Sequence, residues 1–413
     1  MHQVYHKILP LTIAIALDMI KKVIKMEKTA KKYYESAYIK DFAAVVLACE
    51  KNGEGWRILL DGTCFYPGGG GQPCDIGLLG GMRVVECYDK DGFIWHILEG
   101  DEPTFGVGDG ILGQVDFGRR FAFMQNHTGE HVLSGLAKSR WGATNVGFHM
   151  SERGFTMDLD VLPGAADLAT LERLANEVVL AAIEVEISMA LGEFLTGLDV
   201  RSKKEFGPAD DVRLVDIGGL DLCACAGLHV RNTLEVGLVK IVGAQKYKGG
   251  VRLNVYCGCD ALWDYTRKDS YIRGISRLTS AETQMCVEAV EKLLEANAGL
   301  KKEIGVLKSQ IFEMKAAQVP ENSKLAWFYE DGLDMDDMRR FADLATRRAG
   351  LAVVLSGGKY FMCAREGNAE SLRKFAGKFN EELGGKGGVN NLVAQGAVSA
   401  DLAAIEGFLR GLS

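Results

Sequence analysis

The sequence is poor in the features that mark membrane proteins, disulfide scaffolds and proteins that coat nucleic acid. Its longest apolar run near the N-terminus, residues 8–20, is about a dozen residues long and contains Asp18, which is too short for a bilayer span. Ten cysteines among 413 residues are too dilute for a disulfide framework. A net charge of −7 excludes bulk attraction to nucleic acid and leaves only a local basic face. We therefore expect a protein of the reducing cytoplasm that does not enter a membrane.

Recognisable nucleotide-binding loops are also missing. The four glycines at 68–71 are followed neither by Gly-Lys-Ser nor by Gly-Lys-Thr, and they lack the G-x-G-x-x-G spacing of a dinucleotide site. Glycines between an aromatic-proline corner and Gln72-Pro73 let the backbone approach a ligand closely, whereas the alternative is a flexible surface loop.

Composition and periodicity predict an α+β protein of several domains. A hydrophobic content of 47% supports two or three ordinary cores in a chain of this length. We predict an N-terminal extension over 1–32, in which Met26 is an alternative start, a β-rich domain with the glycine-rich loop over 33–118, an α+β metal-binding domain over 119–262, a helical linker over 263–320, and a small α/β domain over 321–413.

Local patterns predict the elements that matter most here. A helical pattern covers 168–185, and two alternating runs at 234–242 and 251–256 form a hairpin whose connection, 243–250, has a basic tip. In the last domain we predict a helix at 335–348, strands at 351–356 and 360–365, a helix at 369–383 and a glycine loop at 384–396.

Residues 286–314 carry apolar side chains at alternating spacings of four and three over four heptads. This pattern predicts a long helix that pairs with another helix, in a hairpin or in a homodimer. The alternative is one long helix docked on a domain. Asn297 occupies a seam position, where it would fix register, and Pro320 ends the pattern.

Positive charge is segregated towards the C-terminus. From Arg339 onwards there are eleven Lys and Arg against seven Asp and Glu, which is +4 and leaves −11 for the rest. Gly385, Lys386 and Gly387 are candidate RNA contacts, because backbone N–H groups of a glycine loop can accept phosphate. Lys246 and Lys248 at the hairpin tip are further candidates. A surface turn and solvated lysines are the respective alternatives.

Two separate segments together predict a metal site. His127 and His131 are four residues apart on a predicted helix, so both rings project from one face. Cys225 and His229 lie in one short turn and supply a thiol and a third imidazole. We prefer Cys225 to Cys223, because three residues then separate it from His229. These ligands predict zinc, and the sequence leaves open whether the ion is structural or has an open position.

The same helix allows a second interpretation. Residues 127–131 spell H-x-x-E-H, the inverted signature of zinc peptidases in which the glutamate is the general base. Glu130 would then act on a metal-bound water. Such peptidases complete their site with a carboxylate, however, whereas the turn here offers a thiol and an imidazole.

At this point the sequence resembles the alanyl-tRNA editing proteins, the AlaX-type free-standing relatives of the editing half of alanyl-tRNA synthetase. The motifs occur in the family's order: Phe-Tyr-Pro at 65–67, Gly-Gly-Gln-Pro at 70–73, Asp-Ile-Gly at 75–77, the histidine pair at 127 and 131, the turn at 225–230 with Asn-Thr at 232–233, and the glycine motif at 384–388 with Ala-Gln-Gly at 394–396. The resemblance covers about residues 33–398.

The resemblance implies hydrolysis of the ester that joins a wrongly attached serine or glycine to alanine tRNA. It implies zinc held by His127, His131, Cys225 and His229, with Thr63 and Gln72 lining the amino-acid pocket. It also implies a C-terminal domain of the DHH-associated type that helps to hold tRNA. Where the family has Cys-Gly-Gly-Thr-His, this chain has Ala226 and Leu228 in place of a glycine and the threonine. A noncatalytic tRNA-binding protein with structural zinc is the remaining alternative.

Overall fold

The computed structural model describes residues 28–411, which form two compact units of mixed α/β structure, one ending at Tyr271 and one beginning at Ile272. The apolar run at 8–20, Met26 and most of the predicted N-terminal extension lie outside the described residues. Among residues 28–411, no helix is both long enough and apolar enough to cross a membrane. The predicted domain boundaries at 118 and 262 fall inside the first unit and stay predictions.

The first unit begins with a closed six-stranded antiparallel barrel in the order β2-β3-β7-β6-β5-β8. The same stretch of sequence also contains the four-residue helix α1 and a short parallel pair of strands, β1 and β4. The bounds are β1 Ala30–Lys31, α1 Lys32–Glu35, β2 Asp41–Asn52, β3 Gly55–Leu60, β4 Gly62–Thr63, β5 Gly77–Leu79, β6 Met82–Lys90, β7 Phe93–Glu99 and β8 Gly110–Val115.

A 25-residue helix, α2 (Phe117–Trp141), follows the barrel. Asp116 caps its start by accepting a hydrogen bond from the Arg119 backbone N–H, and Gly142 ends it in the left-handed conformation. Residues 145–257 supply one four-stranded sheet, one three-stranded sheet and one helix. They are β9 Asn145–Met150, β10 Phe155–Leu159, α3 Ala165–Leu180, β11 Val185–Leu191, β12 Asp211–Ile217, β13 Leu222–Ala224, β14 Val239–Tyr247 and β15 Gly250–Cys257.

One hydrophobic core runs through the whole first unit. It joins barrel residues such as Ile58 and Leu98 to Phe123 and Val132 of α2 and to Leu253 of β15. Helix α2 is therefore a central element packed on all sides, and polar residues on it are withdrawn from water. The helix α4 (Gly258–Thr279) leaves this unit and continues into the second.

The second unit has a five-stranded sheet between two helical layers. Alternate residues of β17 and β18 face α5 and α6 on one side and α7 and α8 on the other, as their two separate cores demonstrate. The bounds are α5 Cys286–Ala317, β16 Ser323–Tyr329, α6 Met335–Thr346, β17 Ala349–Ser356, β18 Lys359–Ala364, α7 Ala369–Leu383, β19 Lys386–Asn390, β20 Val393–Ala397 and α8 Leu402–Arg410.

Several sequence predictions hold in this structure. The helix at 369–383 has the predicted ends, and the 286–314 pattern lies in α5. The pairing of α5 with another helix stays a prediction.

Three local predictions were wrong. The helix predicted at 168–185 ends at Leu180, because Ala182 has a φ of +53° and Val185 pairs with Ile217 in a sheet. The strand predicted at 234–242 begins only at Val239, after a short 3₁₀ turn, and it continues to Tyr247. The hairpin connection is therefore two residues long.

The glycine loop predicted at 384–396 is largely an edge hairpin of β19 and β20. Glycine is required at 387, since a Cβ there would lie 2.1 Å from Oη of Tyr360. The glycines therefore serve close strand packing at this point rather than an open loop.

Candidate metal centre

The two predicted half-sites meet in the folded chain. Helix α2 carries His127 and His131, and the turn after β13 carries Cys225 and His229. One ligand atom from each of the four residues lies within 4.8 Å of the others. The three histidines are buried and the cysteine is partly buried, so the cluster is largely withdrawn from solvent.

Each of the three imidazoles has a partner at Nδ1. His127 Nδ1 lies 3.0 Å from Oε1 of Gln72, and His229 Nδ1 lies 3.1 Å from Oγ1 of Thr128. His131 Nδ1 lies 3.0 Å from Oδ2 of Asp221, a close ionic contact that does not have the alignment of a hydrogen bond. An acceptor at Nδ1 fixes the proton there and leaves the lone pair of Nε2 free. This is the arrangement that metal-binding histidines adopt.

The thiol of Cys225 lies at the centre of the imidazoles. Its Sγ is 3.4 Å from Nε2 of both His127 and His229, and it also contacts His131. Burial opposes ionisation, but the imidazoles outweigh it and hold the pKa of Cys225 well below its ordinary value. A thiolate is the form that binds a metal ion.

The Cys225 turn is held by its backbone carbonyls. Arg213 donates from Nη1 to the carbonyls of Cys225 and Gly227, at 2.7 and 2.9 Å, and Tyr34 donates to the carbonyl of Ala226 at 2.9 Å. Glycine is needed at 227, because a Cβ there would lie 2.0 Å from Cε1 of His127. The turn is therefore pressed against α2 by fixed contacts.

The glycine-rich loop forms one wall of the centre. Gly69 and Gln72 exchange backbone hydrogen bonds, which makes residues 68–71 a tight turn with positive φ throughout rather than a flexible loop. Gly71 packs on Phe148, and the Phe148 ring stacks on His127 with centroids 5.2 Å apart.

Gln72 is the loop residue that reaches the metal centre. Its Oε1 accepts from the Leu228 backbone N–H at 3.0 Å as well as from His127. Its Nε2 is buried without a hydrogen-bond partner. A buried amide with an unused donor costs free energy unless a ligand accepts from it.

Thr63 is engaged elsewhere. Its hydroxyl lies 2.9 Å from Nε2 of His96 and accepts from the Phe65 backbone N–H, and no described contact joins it to the histidine cluster. His96 donates from Nδ1 to the Ile58 carbonyl, and burial lowers its pKa to about 4. The neutral ring therefore accepts the Thr63 proton, which leaves Thr63 with acceptor capacity only.

Glu130 belongs to a buried ionic network. Its Oε1 accepts from Ser134, Asn145 and Arg201, at 2.5, 2.5 and 3.0 Å. Burial raises the pKa of Glu130, but Arg201, His131 and the Ser134 hydroxyl together outweigh it, and the net shift is downward. Oε1 of this carboxylate is thus engaged by three donors, whereas Oε2 makes a longer contact of 3.5 Å with Arg201 and lies 3.7 Å from Nε2 of His131.

The other candidate residues lie on other elements of the two units. Lys246 is exposed on β14, and Lys248 forms the tight turn with a φ of +46°. Lys386 and Gly387 lie on the edge strand β19 of the second unit, and the Gly385 N–H donates to the Asn380 carbonyl. Cys223, the rejected ligand, is buried beside His131 and Asp221.

Three imidazole nitrogens and a thiolate form a donor set that suits a borderline-soft divalent ion. Sequence reasoning found these four ligands but missed Thr128, Asp221 and Arg201 as their supports. No local signal marks these supports, since Arg201 is 70 residues from His131 and belongs to no regular element.

Known proteins are similar to this chain in sequence. The family described as "Threonyl and Alanyl tRNA synthetase second additional domain" matches residues 212–254, which contain the Cys225 turn and its flanking strands. The chain is 28% identical over 389 residues to the alanyl-tRNA editing protein AlaX-L of Pyrococcus horikoshii, covering 89% of this chain and 94% of that protein. This chain is similar to the alanyl-tRNA editing proteins over nearly its whole length.

Alanine–tRNA ligases are similar over part of their length. The ligase of Caldivirga maquilingensis is 32% identical over 410 residues, and that of Pyrobaculum aerophilum is 29% identical over 415 residues. These matches cover 91% and 92% of this chain but only 43% and 44% of the ligases. The chain therefore spans less than half the length of these ligases and nearly all of the editing protein.

Proposed function

We propose that this protein is a trans-editing hydrolase that removes serine or glycine from mischarged alanine tRNA at a zinc-containing site. The observation that carries the proposal is the buried cluster of three imidazoles and one thiolate, beside an unpartnered N–H of Gln72. The cluster would hold the metal ion, and the amide would hold the substrate. The similarity to AlaX-L supports alanyl-tRNA editing as the setting.

His127, His131, Cys225 and His229 would hold zinc through Nε2 and Sγ. When bound, zinc supplies positive charge that orients and polarises the aminoacyl group. Gln72 would donate from Nε2 to a carbonyl or hydroxyl oxygen of that group, because its Oε1 is already occupied. The chain's own contribution is to orient the ester within a dry, fixed cavity.

Thr63 would contribute selectivity within the pocket. Its hydroxyl donates to His96, so it can only accept from a substrate. The seryl hydroxyl can donate to such an acceptor, whereas the alanyl methyl group cannot. A site built to bond a hydroxyl discriminates strongly against an analogue that lacks it.

A zinc peptidase is the weaker interpretation. Its general base would be Glu130, but that carboxylate is held in an ion pair by Arg201, and Ser134 and Asn145 also donate to its Oε1. A general base must be free to take a proton from a bound water.

The RNA would approach basic surface residues outside the pocket. Lys246 and Lys248 in the first unit, and Gly385, Lys386 and Gly387 in the second, are our proposed contacts. We likewise propose that residues 33–262 form the editing body, that 263–320 link it to the C-terminal domain, and that α5 supports homodimerisation. Such an enzyme would serve translation fidelity in the cytoplasm.

The deciding experiment is a deacylation assay with the zinc-loaded full chain. We expect release of serine or glycine from mischarged alanine tRNA and little release of alanine from the correctly charged form. His131→Ala should abolish release, and His149→Ala, at an exposed histidine of β9, should retain it. A protein that binds tRNA yet leaves every mischarged ester intact would instead be a noncatalytic tRNA-binding protein.

A further inference from the structure

Arg201 joins the two halves of the metal centre without contacting the proposed ligand atoms. Its guanidinium donates to Asp221 from Nε and Nη2, at 2.9 and 2.7 Å, and to Glu130 from Nη1 at 3.0 Å. Glu130 lies on α2 with His127 and His131, whereas Asp221 precedes the Cys225 turn. One side chain therefore ties the histidine helix to the cysteine turn.

The contact with Asp221 continues to a proposed ligand. Asp221 Oδ2 accepts from Arg201 Nη2 at 2.7 Å and lies 3.0 Å from Nδ1 of His131. The two-point contact with Arg201 fixes the plane of the carboxylate, because a guanidinium fork matches a carboxylate in one orientation. The position of the carboxylate in turn sets the oxygen that faces Nδ1 of His131 at 3.0 Å.

Burial makes these contacts consequential. The side chains of Glu130 and Asp221 are each 2% exposed and that of Arg201 is 20% exposed. Without Arg201, two buried carboxylates would lie close to each other with no cation between them. Asp221 would then have reason to move away from its place beside His131.

The backbone of Arg201 is fixed as firmly as its side chain. The residue lies in the irregular connection between β11 and β12, yet its N–H donates to the Leu222 carbonyl at 2.8 Å and its carbonyl accepts from Ala224 at 3.0 Å. These bonds attach it to β13, directly before the Cys225 turn. Arg201 is thus held in place before it meets Glu130.

We propose that Arg201 is a positioning residue that presets His131 for metal binding by orienting Asp221 and by tying α2 to the Cys225 turn. This inference rests on the metal site of the proposed function, but it does not depend on the reaction. It predicts that the four proposed ligands are already close together in the metal-free protein. It also predicts that metal affinity falls when the contacts of Arg201 with Glu130 and Asp221 are removed.

The test measures metal alone. Zn²⁺ affinity of the purified full chain is determined by competition with a chromophoric chelator, and the visible absorption of the Co²⁺-loaded protein reports coordination. We expect Arg201→Met to weaken Zn²⁺ binding by about tenfold to hundredfold, the range typical of partners behind a ligand, and to alter the Co²⁺ spectrum. Arg201→Lys should lose less Zn²⁺ affinity than Arg201→Met, because lysine keeps the positive charge but cannot make the two-point contact of a guanidinium.

A matched control separates positioning from general stability. Arg252 makes a similar two-point pair with Asp158, at 2.6 and 2.7 Å, in the same unit but with no described contact to the four ligands. Arg252→Met should lower the melting temperature and leave Zn²⁺ affinity unchanged. If Arg201→Met behaves as Arg252→Met does, with unchanged affinity and spectrum, Arg201 is merely structural and the proposal is wrong.

The same substitution in an Asp221→Asn variant tests whether Arg201 acts through Asp221. In Asp221→Asn protein, Arg201→Met should cause little further loss of Zn²⁺ affinity, since Arg201 acts through that carboxylate. An equal loss in both backgrounds would contradict the route through Asp221. A wild-type chain that binds no Zn²⁺ would refute the metal site itself, whereas one that binds Zn²⁺ but cleaves no ester would refute only the proposed reaction.

Discussion

Helices α2 and α5 differ in what they bury. Helix α2 buries polar side chains, whereas helix α5 leaves apolar side chains exposed. Fifteen of the 25 residues of α2 are buried, and these include Asn126, His127, Glu130 and His131. Only three of the 32 residues of α5 are buried, although most of its seam positions carry leucine, isoleucine or valine. Buried polar groups and exposed apolar stripes are the two departures from ordinary packing that carry information.

The difference indicates two kinds of function. The buried polar residues of helix α2 have polar partners that offset the free-energy cost of burial. Such clusters of buried polar residues are typical of functional sites. Helix α5 leaves Leu293, Leu300 and Ile304 more than half exposed, which is typical of an interface with a partner. The first helix is therefore packed within its own unit, whereas the second leaves an apolar stripe exposed among residues 28–411.

The largest expected effect is at the ligand turn. Cys225→Ala removes the thiolate at the centre of the three imidazoles, so bound zinc should be lost. Deacylation should fall by more than the 10- to 100-fold typical of losing a partner behind a ligand. Metal analysis and the deacylation assay measure both. Cys259→Ala, at an exposed cysteine of α4, is the control, and equal losses in both variants would contradict a metal role for Cys225.

The second effect concerns the start of α2. Arg120 pairs with Asp75 in full burial and donates to the carbonyls of Ala37 and Ile39. Arg120→Met should lower the free energy of unfolding of the first unit by about 3–5 kcal/mol, because it leaves a buried carboxylate without its cation. Urea unfolding monitors this change.

Arg83→Met supplies the comparison for Arg120. Arg83 pairs with Glu99 at the surface, where both side chains are mostly exposed, so its loss should leave stability nearly unchanged. Similar behaviour of the two variants would mean that burial does not distinguish these pairs.

A smaller effect separates editing from peptide hydrolysis. Glu130→Gln should reduce stability by about 1–3 kcal/mol, because the amide cannot accept all the bonds that the carboxylate accepts. Deacylation should fall by no more than about 10- to 100-fold, the range typical of altering an outer partner rather than a catalytic base. Abolished hydrolysis with an intact fold and bound metal would favour the peptidase interpretation.

The smallest change in stability is expected on α5. Leu300→Glu with Ile304→Glu alters two exposed seam residues, so unfolding of the second unit should change by no more than about 0.5 kcal/mol per site. If the seam pairs two chains, light scattering should show conversion of dimer to monomer. Lys302→Glu, off the seam, should leave the mass unchanged, and a monomeric wild-type chain would refute the predicted homodimer.

Sequence patterns were informative where the decisive contacts were local. The i,i+4 spacing of His127 and His131 and the short Cys225–His229 turn predicted a cluster that the structure brings together. The helix at 369–383 was predicted for the same reason. By contrast, the glycines of 384–396 lie largely in strands, because their partner strand and Tyr360, which require them, are contributed by the tertiary fold.

The sequence by itself determined which four side chains can bind a metal ion, because their types and spacings are fixed along the chain. Only the tertiary structure decided how those ligands are oriented. The groups that face their Nδ1 atoms lie 55 to 101 residues away along the chain, and Arg201 lies 71 residues from Glu130, so no periodicity records these contacts. Burial also decided the role of Glu130. A carboxylate that is withdrawn from water needs a cation beside it, so Glu130 is an ion-pair partner.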